Sequence, residues 1–445
     1  MLMKNNFKIY FIGICGSGMS TLAKYLKKRG FWVAGSDVSM GENYLDLISC
    51  GITVYTSHDA KNVRDADIVV VSSSISCSNA EYLEALRLNK AIYKRAELLG
   101  LVFSTFKNTV GYAGSHGKTT AVCMGSHILK RSLTAFVSLI GGKDLDLDNF
   151  QYNNNSKILL GEVCEFDRNI KYVHPLVSVV LNVDNDHLNS YGDIFDLINE
   201  FYSYLDRAKF KIVCKDDKFL KEYTSNNVIT YSIKEKSDYK AENVKSSNGK
   251  YSFTCKLKNG NSIEVNLNVY GKHNIYNALA NIAVFDSVFK LDAEIIKSGL
   301  ESFNGVVRRF EYLGSVNDIN FYADYCHHPT EIKESLKVYK ETVKDDYVII
   351  FQPHTYSRTK LLFNDFISVF KNENVVIYKT YPSREKKMLN GDGKRLAKAL
   401  KCPYIKNEKI FKKAVAKGKY AKNYIILGAG NLYDIANSIV KNGLV

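Results

Sequence analysis

Gly111-Tyr-Ala-Gly-Ser-His-Gly-Lys-Thr-Thr120 is the stretch on which the reading of the fold turns. It follows an apolar, strand-like run and precedes a helical pattern, so its glycines fall on a strand-to-helix turn. Gly114 and Gly117 let backbone N–H groups close around phosphate oxygens. Lys118 can neutralise β/γ charge, and the Thr119 hydroxyl suits Mg²⁺. Ser115, His116 and Thr120 complete the loop, and Tyr112 stands where the general phosphate-loop pattern has its first glycine. These residue types at this spacing predict a nucleoside triphosphate site.

Outward from this loop, strand-like runs alternate with helical patterns over most of the chain, which predicts an α/β protein with parallel sheets covered by helices. Three such segments separate. The first includes Lys8 to Gly13, Trp32 to Gly35 and Ile68 to Val71, and fades near Phe106. The second opens with the glycine-rich loop and has strands near Ile158 to Leu160 and Val177 to Leu181. Its later part, Val228 to Leu267, alternates polar and apolar residues as antiparallel strands would, with Asn259-Gly260 as a hairpin turn. The third has strands at Tyr347 to Phe351, Val375 to Tyr378 and Tyr424 to Leu427. The expected domains are therefore 1–106, 107–306 and 307–445, in keeping with a chain of 445 residues that exceeds what one core organises.

Composition narrows the function without naming it. The formal charge is +15, yet the lysines are spread along the chain rather than gathered in a stripe with interleaved aromatics. Small polyanionic substrates fit that distribution better than a nucleic acid. The nine cysteines are scattered from Cys15 to Cys402 with no C-x-x-C pair, which argues against a disulfide framework or a structural metal. Met1 to Lys8 carries no long apolar run, and other apolar runs are of strand length, so a cytoplasmic location without a membrane span is expected.

The compact form Gly114-x-x-Gly117-Lys118-Thr119-Thr120 resembles the loop of the Mur ligase family. That resemblance implies three α/β domains: a Rossmann-like N-terminal domain, a central P-loop ATPase-type domain and a Rossmann-like C-terminal domain. It also implies metal ligands downstream, for ATP with Mg²⁺ or Mn²⁺. In Gly161-Glu-Val-Cys-Glu-Phe-Asp167, Glu165 matches the family's metal-binding glutamate, with Cys164 in place of an aspartate. Asn182 and the Asp186-His187 pair match a second signature, in which His187 would face the second metal; Thr119, Glu165 and His187 are the metal ligands the resemblance implies. Gly271-Lys-His-Asn-Ile-Tyr-Asn277 resembles a box that meets the adenine side of ATP through Asn274 and Asn277. Those two residues lie three apart on one helical face. A helix start capped by His273 and Asn274 is the other reading of that box.

Near the start, Gly13-Ile-Cys-Gly-Ser-Gly-Met-Ser20 follows a strand, and Asp37 comes about twenty residues later, which imitates a dinucleotide fold. The spacing is G-x-x-G-x-G, with Thr21 beyond, so a nicotinamide-dependent oxidoreductase is a competing reading from a different class. The family resemblance assigns the segment to a UDP-sugar instead, through Gly16, Ser17, Gly18, Met19, Ser20, Asp37 and Ser73. Lys94-Arg95-Ala-Glu-Leu-Leu99 fits it as well. A helix start after Gly18 suits diphosphate oxygens whatever the base.

In the third segment, Arg308-Arg309-Phe310 precedes Tyr322-Ala-Asp-Tyr-Cys-His-His-Pro-Thr-Glu331, and Phe351-Gln-Pro-His-Thr-Tyr-Ser-Arg358 and Gly428-Ala-Gly430 follow. These boxes resemble the alanine-adding branch of the family, with Ala323 replacing an aspartate. The resemblance places Tyr325, His327, His354 and Arg358 around the amino acid, Arg358 being suited to a carboxylate. It gives Asp324 a ribose hydroxyl and one arginine of the pair, Arg309, a phosphate.

The implied activity is an ATP-dependent amide ligase of peptidoglycan precursor synthesis, joining L-alanine to UDP-N-acetylmuramate through an acyl phosphate. Lys118, His187, Glu165 and Arg358 would carry the chemistry, in a monomer or homodimer whose domains close over the substrates. A related ligase adding a peptide or another amino acid to the same UDP-sugar is the nearest alternative.

Overall fold

The computed structural model describes residues 7–184, 191–343, 346–383 and 385–443. Their strands form three sheets, in agreement with the α/β class read from the sequence. The first sheet has five parallel strands, ordered Thr53–Tyr55, Trp32–Ser36, Lys8–Ile12, Ile68–Val71 and Ala91–Lys94. Strand order reverses at Lys8–Ile12. The glycine turn at 13–16 therefore leaves the sheet where such folds open a crevice at their carboxyl ends.

The second sheet has ten strands. Its centre is parallel: Phe210–Cys214, Val177–Val180, Asn108–Ala113, Ile158–Glu162 and Phe136–Asp144 lie side by side. Asn108–Ala113 leads into the phosphate loop from the middle of this buried core, so the loop starts on a rigid base. One expectation is corrected here. Val228–Ser232 pairs in parallel with both Phe210–Cys214 and Tyr239–Ser247, not antiparallel. Alternating polarity reports which faces are buried, whereas direction is set by the connection between strands. The Asn259-Gly260 turn is present: Gly260 has φ +88°, and the Leu257 and Asn261 backbones bond across it at 2.8 Å.

Two helices hold the loop from behind. Lys118–Arg131 starts at the loop itself, with Gly117 as its left-handed N-cap. Ala293–Glu301 crosses it so closely that a Cβ on Gly299 would lie 2.5 Å from Ile128 Cα. Replacing Gly299 with alanine should force these helices apart and cost about 1–3 kcal/mol. A thermal midpoint within a degree of the parent would contradict that packing account.

The third sheet is ordered Glu311–Val316, Ile319–Asp324, Asn423–Leu427, Tyr347–Phe351, Val375–Tyr378 and Tyr404–Ile405. Only the first pair is antiparallel. Its two faces are covered by separate apolar clusters, one around Phe321, Tyr424 and Phe411, the other around Tyr339, Phe351 and Phe366. The chain forms two compact units. One carries the first sheet and most of the second, and the other carries the third sheet with Ser246–Tyr251 and Val269–Lys272. No helix among the described residues is long and apolar enough to cross a membrane.

Candidate active site

The phosphate loop is shaped by its neighbours as much as by its glycines. Gly114 has φ +127°, and a Cβ there would meet the Asn182 backbone at 3.0 Å. Gly117 has φ +85°, and a Cβ would lie 2.7 Å from Asn277 Oδ1. Asn182 then pins the loop from the side. Its carbonyl accepts from Ser115 N at 3.1 Å, its Oδ1 accepts from His116 N at 2.8 Å, and its Nδ2 donates to His116 O at 3.0 Å. His116 Nε2 lies 3.0 Å from an Asp184 carboxylate oxygen. Tyr112, at the place of the general pattern's glycine, is still inside the strand: its ring is buried and its hydroxyl donates to Asn281 Oδ1 at 2.7 Å. The turn begins only at Gly114, which is why a bulky residue is tolerated two positions earlier.

At the centre, Lys118 Nζ sits 3.0 and 3.1 Å from the two Glu165 oxygens, and it also bonds the Gly114 and Ser115 carbonyls. Glu165 is fully buried. Burial disfavours the Lys118 ammonium, but the Glu165 charge, aided by Cys164 and Glu162, outweighs it and holds the pKa above its ordinary value. Glu165 comes just after the strand Ile158–Glu162, so the sheet delivers it to the loop. Thr119 is the second residue of the loop helix and, like Thr120, is partly exposed. Glu165 carboxylate and Thr119 hydroxyl are hard oxygen donors, a set that fits Mg²⁺. Asp186 and His187 lie outside the described residues.

Asn274 and Asn277 lie in the first turns of the helix His273–Ser287. Both are buried, Asn277 Nδ2 donates to Asn274 Oδ1 at 2.9 Å, and the Asn277 amide lies directly under Gly117. Asn281, one turn on, donates to Ala121 O at 3.0 Å in the loop helix. This helical face braces the loop from below. Asn281 was not singled out, although its spacing of four from Asn277 was the available signal.

In the first sheet, the glycine turn is held by backbone bonds from Gly13 and Ile14 to Ser36 O. Asp37 accepts from Cys15 N at 2.9 Å through one oxygen and from Ser39 N at 2.9 Å through the other. Its carboxylate shapes the turn instead of facing outward, which removes the acidic residue that a dinucleotide ribose would need. The Met19 and Ser20 side chains are buried, and their amides bond Gly16 O. Ser17 and Gly18 are left with the free amides of the helix start, and Ser73 is exposed at the end of a neighbouring strand. Glu81, which the family resemblance includes without a role, accepts from Tyr10, Ser36 and Asn62 and lies 3.0 Å from His58 Nδ1 beneath this edge.

The third sheet separates the two arginines. Arg308 bonds Asp434 at 2.7 Å and lies over the Tyr433 ring, so it is spent locally. Arg309 lies over the Tyr325 ring, and Glu331 approaches it at 3.9 Å. Asp324 ends its strand buried, held by Ser335 Oγ at 2.6 Å and Cys326 N at 3.3 Å. Burial raises its pKa despite the nearby Arg309. His327 packs edge-on against both Tyr325 and His354. His354 stacks on Tyr381, and Glu385 holds Ser357 N at 2.9 Å, next to Arg358. Gln352, quoted in its box without a role, accepts from Leu432 N and donates to Asn431 Oδ1, just past the Gly428 to Gly430 turn.

Burial, then the charges of His327 and Arg358, push His354 down to about 4. The ring is neutral in the folded chain while an unfolded one takes up a proton near pH 6.5. Stability should therefore fall as pH drops from about 6.5 towards 4, by at most about 3 kcal/mol from this residue. His354→Gln should flatten the midpoint-versus-pH curve in that window, and parallel curves would refute the burial argument.

The family model described as the Mur ligase family, catalytic domain, matches residues 8–107, the Mur ligase middle domain matches 113–285, and the Mur ligase, glutamate ligase domain, matches 308–431. A relative named UDP-N-acetylmuramate–L-alanine ligase from Caldicellulosiruptor bescii is 37% identical, covering 98% of this chain and 99% of its own. The crystal structure of a UDP-N-acetylmuramate-alanine ligase from Thermotoga maritima has TM-score 0.84 at 25% identity, covering 98% and 99% of the two chains. A murein peptide ligase from Psychrobacter arcticus shares the fold, with TM-score 0.74 at 19% identity over 99% of each chain. With three family models covering most of its length in order, this chain belongs to the Mur ligase family.

Proposed function

We propose that the protein joins L-alanine to the carboxylate of UDP-N-acetylmuramate with hydrolysis of ATP to ADP, a cytoplasmic step of peptidoglycan precursor synthesis. The observation that carries this reading is Lys118 paired with the buried Glu165 on a glycine loop at a sheet's carboxyl edge. The loop amides and Lys118 would bind the β- and γ-phosphates. Thr119, Glu165 and His187 would hold Mg²⁺, which when bound neutralises phosphate charge. Ser17 and Gly18 would receive the UDP diphosphate. Arg358 would hold the amino-acid carboxylate, and Arg309 a phosphate of ATP.

The chemistry follows from these positions. A donor carboxylate oxygen attacks the γ-phosphorus, and ADP leaves, giving an acyl phosphate. The alanine amine, having lost its proton, attacks the acyl carbon. Orthophosphate departs with the former carboxylate oxygen as the amide forms. Because phosphoryl transfer depends on alignment and charge neutralisation, a fixed lysine and fixed amides suffice on the protein's side.

An acceptor panel tests the selectivity. With ATP, Mg²⁺ and UDP-N-acetylmuramate, phosphate release should be fastest with L-alanine, and slower with glycine, L-serine and the peptide L-Ala-γ-D-Glu-meso-diaminopimelate. A preference for the peptide would replace this reading with that of a peptide-adding sibling.

A further inference from the structure

His127 is buried near the far end of the loop helix Lys118–Arg131. Nine residues separate it from Lys118, about 13 Å along the helix axis, so it lies well away from the phosphate loop. Asp144 ends the strand Phe136–Asp144, and Asp146 lies in the turn that follows. One donor atom from each of these three residues converges: a ring nitrogen of His127 and a carboxylate oxygen of each aspartate lie within 4.8 Å of one another. Asp144 is buried, whereas Asp146 is exposed and opens the cluster to solvent.

The surrounding hydrogen bonds leave this cluster short of a positive charge. Ser302 spends its one proton on Gly299 O at 2.9 Å, so towards His127 Nδ1, at 3.0 Å, its oxygen can only accept. The proton of a neutral ring is thereby fixed on Nδ1, and the bare Nε2 faces Asp144 Oδ1 at 3.3 Å. A lone pair set against a carboxylate oxygen is repulsive unless a cation lies between them. Asp144 Oδ1 also accepts from Asp146 N at 2.8 Å and Leu147 N at 2.9 Å. Its other oxygen, Oδ2, is buried with no hydrogen-bond partner among the described residues. The Cys123 thiol approaches this carboxylate but is a weak donor. Protonating the imidazole would satisfy Oδ1 and leave Oδ2 orphaned, while an ion between ring and carboxylate satisfies both residues.

We propose that His127, Asp144 and Asp146 bind a structural divalent ion of the zinc class, with water in the fourth place. One imidazole nitrogen and two carboxylate oxygens suit a tetrahedral Zn²⁺, and the imidazole favours it over Mg²⁺. Ser302 fixes the histidine tautomer, and Asn304 Nδ2 steadies Asp146 by donating to its Oδ2 at 3.1 Å, as outer partners of metal ligands do. The ion would pin the end of the loop helix to the strand end beside it. The sequence shows no zinc spacing here because the cluster joins a helix, a strand end and a turn.

Calorimetric titration of the chelator-stripped full chain with ZnCl₂ in excess Mg²⁺, together with thermal melts, tests this. The parent should bind Zn²⁺ and melt later with it. Asp146→Asn, at an exposed position, should weaken Zn²⁺ more than about 100-fold and abolish the rise in midpoint. Asn304→Ala, which removes only an outer partner, should weaken it about 10- to 100-fold. Glu165→Gln should leave Zn²⁺ affinity within twofold, since the phosphate-loop metal is a separate site. Co²⁺ bound in place of Zn²⁺ should show the intense visible absorption of a tetrahedral centre, lost in Asp146→Asn. A parent that binds no Zn²⁺, or binding and stabilisation unchanged in Asp146→Asn, overturns the proposal and leaves an imidazolium–carboxylate pair. Binding lost in Glu165→Gln overturns it too, by assigning the ion to the phosphate loop.

Discussion

Lys118→Ala should lower the rate of phosphate release by at least about 10³-fold, since removing a charge aimed at developing phosphate charge in a dry site costs on that order. The structure adds a second, separable effect. Glu165 is fully buried and Lys118 pairs with it at 3.0 Å, so the alanine variant removes a cation from beside a buried carboxylate. Breaking a buried pair on one side costs about 3–5 kcal/mol. The variant should melt earlier, and Lys118→Ala combined with Glu165→Gln should melt later than Lys118→Ala alone. Single-turnover phosphate release and a thermal melt separate the two effects. Activity within tenfold of the parent would mean that this loop does not hold the transferred phosphate.

Glu165→Gln is expected to have the next largest effect. The substitution keeps shape and removes charge, so the sheet and the loop stay in place while the metal loses an anionic oxygen. The rate should drop by about 10²-fold or more, and the Mg²⁺ concentration giving half the maximal rate should rise. Mn²⁺, which binds such sites more tightly, should recover part of the loss. The sign distinguishes this from a purely structural role: a carboxylate that only steadied Lys118 would change the midpoint of melting but not the metal dependence. An unchanged Mg²⁺ titration would remove Glu165 from the metal site.

How far the sequence reached depends on what each kind of signal encodes. The glycine spacing around Lys118 placed a strand, a turn and a helix start correctly, because those glycines are required by backbone φ at Gly114 and Gly117. The three-sheet layout was legible for the same reason, since buried parallel strands are short apolar runs. Side-chain partners were not legible. Asp37 stands where a ribose-binding acid would, yet both its oxygens are taken by backbone amides of its own turn. Asn277 lies beneath Gly117, a contact between residues 160 apart that no local pattern encodes. Arg308 and Arg309 are chemically identical in sequence. Only the fold gives one to Asp434 and Tyr433 and leaves the other on Tyr325. Met19 and Ser20 sit in the glycine box, but the phase of their helix turns both side chains into the core.

The central claim is that the cation-bearing loop makes a carboxyl group electrophilic by loading it with phosphate. UDP-N-acetylmuramate labelled with ¹⁸O in its carboxylate, incubated with enzyme, ATP, Mg²⁺ and L-alanine, tests it by mass analysis of the products. The account predicts one ¹⁸O in the released orthophosphate for each amide formed, with none in ADP. Orthophosphate free of label, with amide still produced, would contradict it.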